Sequence, residues 1–368
     1  MRVLIYLHTR GGGHWRYARE LAEALSSMVR VAIVCAEGSD QAPGLEVRRV
    51  LSPIDEHASG ARRVLDRIRA YRRHVDELAR FLAHDSGDNG VRIVHFQELP
   101  TFSARAAVRM ARAHGYKVVI TVHNVRPHAA GLTSQLRQRD ALRAWSSADA
   151  LIVHTHHLKL ELRQWLPSAS IEVIQHPLWP ARRSLDVGRQ KEFLFFGLLR
   201  ENKGIQRFVD ALAQLGNPPA SIVGSGSPEM VADVRRWLEQ RGLSQCEFLP
   251  GYLPEEKVAG LFAAHRVLVA PYERFAAQSG VTHLAIAHHR PVVVSNVGGL
   301  AEPVETFGVG EIAGEGVEGL SEAMRTAATR QRSGYYETGF NAAHEALSVH
   351  AIAEATTRVY DSLAEGRR

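Results

Sequence analysis

The chain has 368 residues, 45% hydrophobic and 23% charged, with a formal net charge of +6 at pH 7. At roughly 150 residues per domain the expectation is two domains, and a chain of this size buries enough apolar surface to fold without staples. Cys35 and Cys246 offer no disulfide framework and no zinc spacing, no run approaches the ~20 apolar residues of a spanning helix, and the apolar opening up to His8 is too short for a signal peptide.

These features point to a cytoplasmic protein, soluble or peripheral to the inner face of the cell membrane. The pI near 9.5 admits phosphates, anionic lipid or nucleic acid as partners without choosing among them.

In chain order, residues 3–7, 31–34, 92–96, 118–122 and 151–154 read as strands that are apolar on successive positions. That is the pattern of a parallel sheet covered on both faces. Helical stretches such as 17–25 and 104–113 lie between them, so the first half is repeated β-α and doubly wound. A second series of strands follows at 193–196, 220–223, 267–270 and 291–294. The helix after its first strand is marked by Ile205, Phe208, Val209 and Leu212 on one face. Residues 176–181, with two prolines, are the candidate linker. The tail from 336 to about 363 reads as helix with no further strand.

The fold class is therefore α/β, with two Rossmann-like domains. The expected boundaries are 1–176 and 177–345, with 346–368 a C-terminal helix that could pack back on the N-terminal domain. Open α/β sheets bind ligands outside the carboxyl ends of their strands, so two such domains are expected to share one cleft.

Three β-α loops carry candidate chemistry. The first, Thr9-Arg10-Gly11-Gly12-Gly13-His14, lets backbone approach a ligand at a helix N-terminus. Its spacing is not the dinucleotide fingerprint, and a merely tight turn is the alternative. The second runs from Gly197 to Gly204 and places Arg200 and Lys203 at a strand end, a pair of cations suited to a diphosphate. The third contains Gln278-Ser279-Gly280-Val281, where consecutive backbone N–H groups open a helix; a plain N-cap is the alternative. Together the three loops point to a phosphorylated ligand.

At these residues the chain resembles the family 4 retaining glycosyltransferases of the GT-B fold. The resemblance rests on Gly11–His14, Val122-His123-Asn124, the segment from Phe196 to Gly204, Val223-Gly-Ser-Gly226, Leu249-Pro-Gly-Tyr252, the Gln278–Val281 turn, and the segment from Pro291 to Leu300. It implies an N-terminal acceptor domain, a C-terminal nucleotide-sugar domain and a UDP- or GDP-linked donor. It implies that Arg200 and Lys203 clamp the diphosphate, with His123 on a hydroxyl of the donor sugar. Ser279, Gly280 and Val281, together with Gln278, would receive the distal phosphate, with Gly12 and Gly13 near the phosphates and sugar. The backbone at Tyr252 and Leu253 would face the base, with Gly224 allowing close approach. By position after the glycines, His14 and Arg16 are assigned to the acceptor side.

Many relatives carry a pair of glutamates around the third loop, where this chain has Ala276 and Leu284. The Gln-Ser-Gly-Val turn resembles a subgroup without that pair, and Glu273 and Glu302 are the carboxylates nearby in sequence that could take its place.

The resemblance implies retention of anomeric configuration. No carboxylate nucleophile stands out, which favours front-face substitution with charge stabilised on the leaving phosphate. No metal is implied: the His154-Thr-His-His157 cluster has no carboxylates spaced around it.

The expected role is polysaccharide or glycoconjugate biosynthesis, with a lipid-linked saccharide as one candidate acceptor. Arg62, Arg63, Arg67, Arg69, Arg72 and Arg73 lie on a helix expected at 61–81. They read either as a solvated face or as a contact with anionic membrane. Alternative functions are a sugar-nucleotide epimerase of similar fold, a basic nucleic-acid-binding protein, or an inert relative that only binds. No helix-turn-helix, zinc finger or aromatic RNA-binding motif is present, so no nucleic-acid partner is expected.

Overall fold

The computed structural model describes residues 1–54, 61–85, 90–125, 132–179, 191–274 and 279–366. Two compact units emerge: Met1–Gln175 with Val349–Arg368, and His176–Ser348.

The first unit runs β1 (Arg2–Tyr6), α1 (Gly12–Leu25), β2 (Arg30–Ala36), β3 (Glu46–Leu51), α2 (Ala61–His84), β4 (Arg92–Phe96), α3 (Ala104–Ala113), β5 (Lys117–Val122), α4 (Leu132–Trp145), β6 (Ala150–Val153), α5 (His156–Trp165) and β7 (Ile171–Val173). Its seven strands are all parallel, in the order β3-β2-β1-β4-β5-β6-β7. Successive residues of the central strands are buried, Val3 and Ile5 against one layer of helices and Leu4 and Tyr6 against the other. That two-sided burial is why these strands lack alternation.

The second unit has β8 (Lys191–Phe196), a 3-10 turn at Glu201–Lys203, α6 (Ile205–Gln214), β9 (Ala220–Gly224), α7 (Pro228–Gln240), β10 (Cys246–Pro250), α8 (Glu255–Ala263), β11 (His265–Ala270), α9 (Gly280–Ala287), β12 (Val292–Ser295), α10 (Glu302–Phe307), β13 (Gly310–Ala313), α11 (Gly316–Arg332) and α12 (Glu337–Ala346). Its six parallel strands are ordered β10-β9-β8-β11-β12-β13. In both sheets the strand order reverses once, between β1 and β4 and between β8 and β11, and open α/β sheets bind ligands at the carboxyl ends of the strands beside such a reversal.

The helical tail is two helices. α12 ends at Ala346, and α13 (Val349–Ala364) belongs to the first unit, where Ile352, Ala353, Val359 and Tyr360 join the core beneath α1. Among the residues of the expected linker, Leu178 is held within the second unit, its N–H donating to Leu347 O at 2.8 Å.

The docking of α13 includes one fully buried polar bond. His95 on β4 is wholly buried, and burial pulls its imidazole down to about 3, so the ring is neutral. His95 Nδ1 lies 2.6 Å from the Tyr360 hydroxyl, and its Nε2 lies 2.8 Å from Thr121 Oγ1 and 3.2 Å from Gln97 Nε2, so both ring nitrogens are partnered in the core. Tyr360→Phe takes the partner of Nδ1 away. A loss of about 1–3 kcal/mol is expected, read as a lower urea midpoint at unchanged slope; a midpoint within error of wild type would show that the bond is not made.

Candidate functional site

In the second unit the loops after β8 and β11 meet at the switch point. Asn202 joins them: Glu273 N–H donates to Asn202 O at 3.1 Å, and Asn202 Nδ2 donates to Arg274 O at 3.1 Å. Gly204, with φ of 65°, passes so close to Pro271 that a Cβ would lie 2.0 Å from its carbonyl oxygen. This contact brings Lys203 over Tyr272, with Nζ 3.6 Å from the ring centroid, an attraction that fixes the ammonium without neutralising it. Burial, with the like charge of Arg200 adding to it, pulls Lys203 down to about 8. Arg200 is exposed and lines a cavity of about 520 Å³ with Leu198, Ser225, Ser227 and Met230.

Gly224 closes the other side of this edge. Its φ is 155°, and a Cβ there would lie 1.7 Å from Gly197 O. Its own carbonyl accepts from Gly251 N–H at 2.8 Å, so the loops after β8, β9 and β10 converge on it. The chain then emerges at Tyr252, 83% exposed, and at Leu253, half-buried against the core.

Ser279 caps α9 and is buried, its hydroxyl 3.3 Å from that of Tyr272. Gly280 opens the helix with nothing within 4 Å of where a Cβ would be, and Val281 packs toward Gly197. The first amides of a helix have no partner within it, so this end presents N–H groups and partial positive charge beside Lys203. Gln278 and Ala276 lie outside the described residues. Leu284 is half-buried against the core, Glu273 sits on the Asn202-bound loop, and Glu302 starts α10.

In the first unit Gly12, with φ of 74°, and Gly13 begin α1, and an added Cβ at either would meet nothing within 4 Å. His14 is half exposed, and Arg16 turns back to Glu20, Nε to Oε1 at 3.0 Å. His123, at the end of β5, directs Nε2 to Gln97 O at 3.1 Å and Nδ1 to His154 Nε2 at 3.2 Å.

Glu98, immediately after β4, went unnoticed in the sequence. It accepts from the His8 N–H at 3.1 Å, the Thr9 N–H at 2.9 Å and the Thr9 hydroxyl. Its Oε1 lies 3.9 Å from His14 Nδ1. Burial opposes its charge, but His8, His14 and the Thr9 bonds outweigh that and hold the carboxyl below its usual range. A lone carboxylate at a strand's carboxyl end, opposite a glycine loop, was the available signal.

The remaining motifs have local uses. His154 is buried and bonded, Thr155 caps α5 by accepting from Leu158 N–H, and His156 and His157 are exposed. Among the described residues no three His, Cys, Asp or Glu side chains are grouped to hold a metal ion. α2 buries Tyr71, His74, Leu78 and Leu82 and exposes Arg69, Arg72 and Arg73, with Arg67 half-buried. The side chains of Arg62 and Arg63 lie outside the described residues. No described helix is long and apolar enough to cross a membrane.

Residues 11–181 match the family model for Glycosyltransferase Family 4, and residues 190–330 match that for Glycosyl transferases group 1. No curated protein matches the chain. Among solved structures, sucrose-phosphate synthase from Thermosynechococcus elongatus is 19% identical, with each chain covered over 99% and a TM-score of 0.75. The Anabaena protein HepE in complex with UDP is 17% identical over 98% of this chain and 100% of its own, at a TM-score of 0.71. The lipopolysaccharide outer core galactosyltransferase WaaB is 14% identical over 99% of this chain and 100% of its own, at 0.70. With glycosyltransferase models matched over both units and a fold shared along the whole length, the chain belongs to the glycosyltransferases of the GT-B type.

Proposed function

We propose that the protein is a retaining, family 4 glycosyltransferase that takes its sugar from a UDP-linked donor. The observation that carries this reading is the placement of Lys203 over Tyr272, whose hydroxyl meets Ser279 at the start of α9, with the charge of Arg200 felt at Lys203. Two cations and the N-terminus of a helix suit a diphosphate. UDP is favoured over GDP by the HepE complexes with UDP and with UDP-glucose.

In this reading Arg200 and Lys203 hold the diphosphate oxygens, while Ser279, Gly280 and Val281, with Gln278, receive the distal phosphate on backbone N–H groups. Tyr252 and Leu253 meet the base, and Gly224 lets the nucleotide lie against backbone. Gly12 and Gly13 leave room for the sugar, His123 serves the sugar's side, and His14 and Arg16 serve the acceptor. Glu273 or Glu302 stands in for the missing glutamate pair.

The C1–O bond to phosphate breaks as the acceptor oxygen bonds to C1 on the same face. The acceptor proton passes to the departing phosphate oxygen. Glu98 is not a nucleophile in this scheme, since both its oxygens are committed to His8 and Thr9. Catalysis is then stabilisation of charge on the leaving group, and no metal is required.

The acceptor is a saccharide or glycoconjugate in polysaccharide biosynthesis. The exposed arginines of α2 suit an anionic lipid surface and a lipid-linked acceptor.

Arg200→Ala should lower kcat on the order of 10²–10³-fold, the usual cost of one preorganised group, and weaken UDP in calorimetry against a GDP control. Near-wild-type turnover and affinity would remove the clamp. Lys203 half-titrates at about 8 in the free protein, and a bound diphosphate favours its charged form. Affinity should therefore be flat below that pH and fall as pH rises through it, with proton uptake on binding between about 8 and the unperturbed ~10.4. Calorimetry at pH 8.5 in buffers of different ionisation enthalpy measures the uptake; none would exclude Lys203. The protein should also float with anionic vesicles at low salt and not with neutral ones, and failure to float would leave α2 as a solvated face.

A further inference from the structure

His123 is aimed at two acceptors. Its Nε2 is 3.1 Å from the carbonyl oxygen of Gln97, which can only accept, so Nε2 carries a proton. Its Nδ1 is 3.2 Å from His154 Nε2, and one of these two nitrogens must carry a proton for a bond to exist. The other nitrogen of His154 decides which. His154 Nδ1 is 2.9 Å from Ile174 O and donates to it. His154 is 4% exposed, and burial holds it down to about 4, so at neutral pH it has one ring proton and Nε2 is bare. The shared proton therefore sits on His123.

We propose that His123 is a doubly protonated imidazolium in the working enzyme, and that neutral His154 is the positioning residue that keeps the second proton on it. This rests on the reading that His123 serves the donor sugar's side of the site, and it changes what His123 does there. Both N–H groups are committed within the first unit, so the ring acts through its charge, as a fixed cation favouring the anionic donor and its leaving group. His14 is a like-charged neighbour, its positive charge acting on both Glu98 and His154, so it is the bonds to Gln97 O and His154 Nε2 that hold the second proton. From α1, His14 meets the ring edge-on at a centroid distance of 4.7 Å and Tyr17 at 6.2 Å. Burial raises the Tyr17 phenol, so it stays neutral. From the segment after β4 come the Gln97 carbonyl and, through His14, the carboxylate of Glu98, 3.9 Å from His14 Nδ1. Among the described residues, the negative charge of Glu98 is thus one ring away.

The sign of the pH effect follows. The arrangement holds while His123 keeps both protons and fails as rising pH removes one, because Nδ1 and His154 Nε2 would then face each other with lone pairs. Ring-nitrogen NMR of wild-type protein at pH 7 should show both nitrogens of His123 protonated and His154 protonated on Nδ1 alone. A singly protonated His123 overturns the proposal. In the pH profile of kcat/KM, His154→Leu removes the acceptor and should move the alkaline limb down by a unit or more, costing on the order of tenfold at a fixed pH on that limb. His154→Gln, whose amide oxygen can still accept, should restore it. A limb that stays in place in His154→Leu, or that Gln fails to restore, overturns the positioning role. If no nucleotide sugar turns over, the donor reading fails, but the ring-nitrogen spectrum still decides the charge on His123.

Discussion

Between Gly204 and the carbonyl oxygen of Pro271 there is no room for a methyl group. That contact decides where the loops after β8 and β11 run, and therefore where their side chains end. It sets Lys203 above the face of Tyr272, and Tyr272 in turn reaches the Ser279 hydroxyl at the cap of α9. A glycine, a cation, an aromatic ring and a helix start thus form one continuous chain of contacts. Any residue other than glycine at 204 would both strain a positive φ and push the loops apart. Gly224 plays the same part on the opposite side, against Gly197. The geometry that could hold a diphosphate is therefore made by backbone approach, and the charged side chains are carried to it.

This explains what the sequence revealed and what it hid. The central strands were legible because burial on both faces leaves unbroken apolar runs such as those of β1, β5 and β8. The edge strands β3, β7, β10 and β13 were not, because each is partly exposed; β3 reads Glu-Val-Arg-Arg-Val-Leu with two exposed arginines at its centre. The amphipathic tail was legible as helix. Its break before Val349 was not, because the break reflects the passage of the chain from one unit to the other and no local proline or glycine marks it.

The site was legible wherever chemistry is local. Arg200, Lys203 and Ser279-Gly280-Val281 could be picked out because each lies in a loop between an apolar strand and a helix. Glu98 went unremarked and His154 was seen only as one of a histidine cluster, since the meaning of each comes from partners far away in the chain. Glu98 matters through Thr9, 89 positions earlier, and His154 through His123, 31 positions earlier. A buried carboxylate or imidazole becomes interpretable only when its hydrogen-bond partners are known.

The two switch points, each taken on its own, have opposite electrostatic designs. That of the second unit concentrates positive charge with Arg200, Lys203 and the α9 amides, and lowers the proton affinity of Lys203 as a consequence. That of the first unit buries a carboxylate, Glu98, and surrounds it with histidines. A buried negative charge costs free energy unless donors and cations satisfy it, and here His8, Thr9 and His14 do so. The histidines consequently cannot all be neutral spectators: His95 and His154 are driven neutral by burial, whereas the bonds of His123 demand a second proton. Charge in the first unit is thus assigned ring by ring through hydrogen bonds, while in the second it is fixed by lysine and arginine, whose cations do not depend on a neighbour's tautomer.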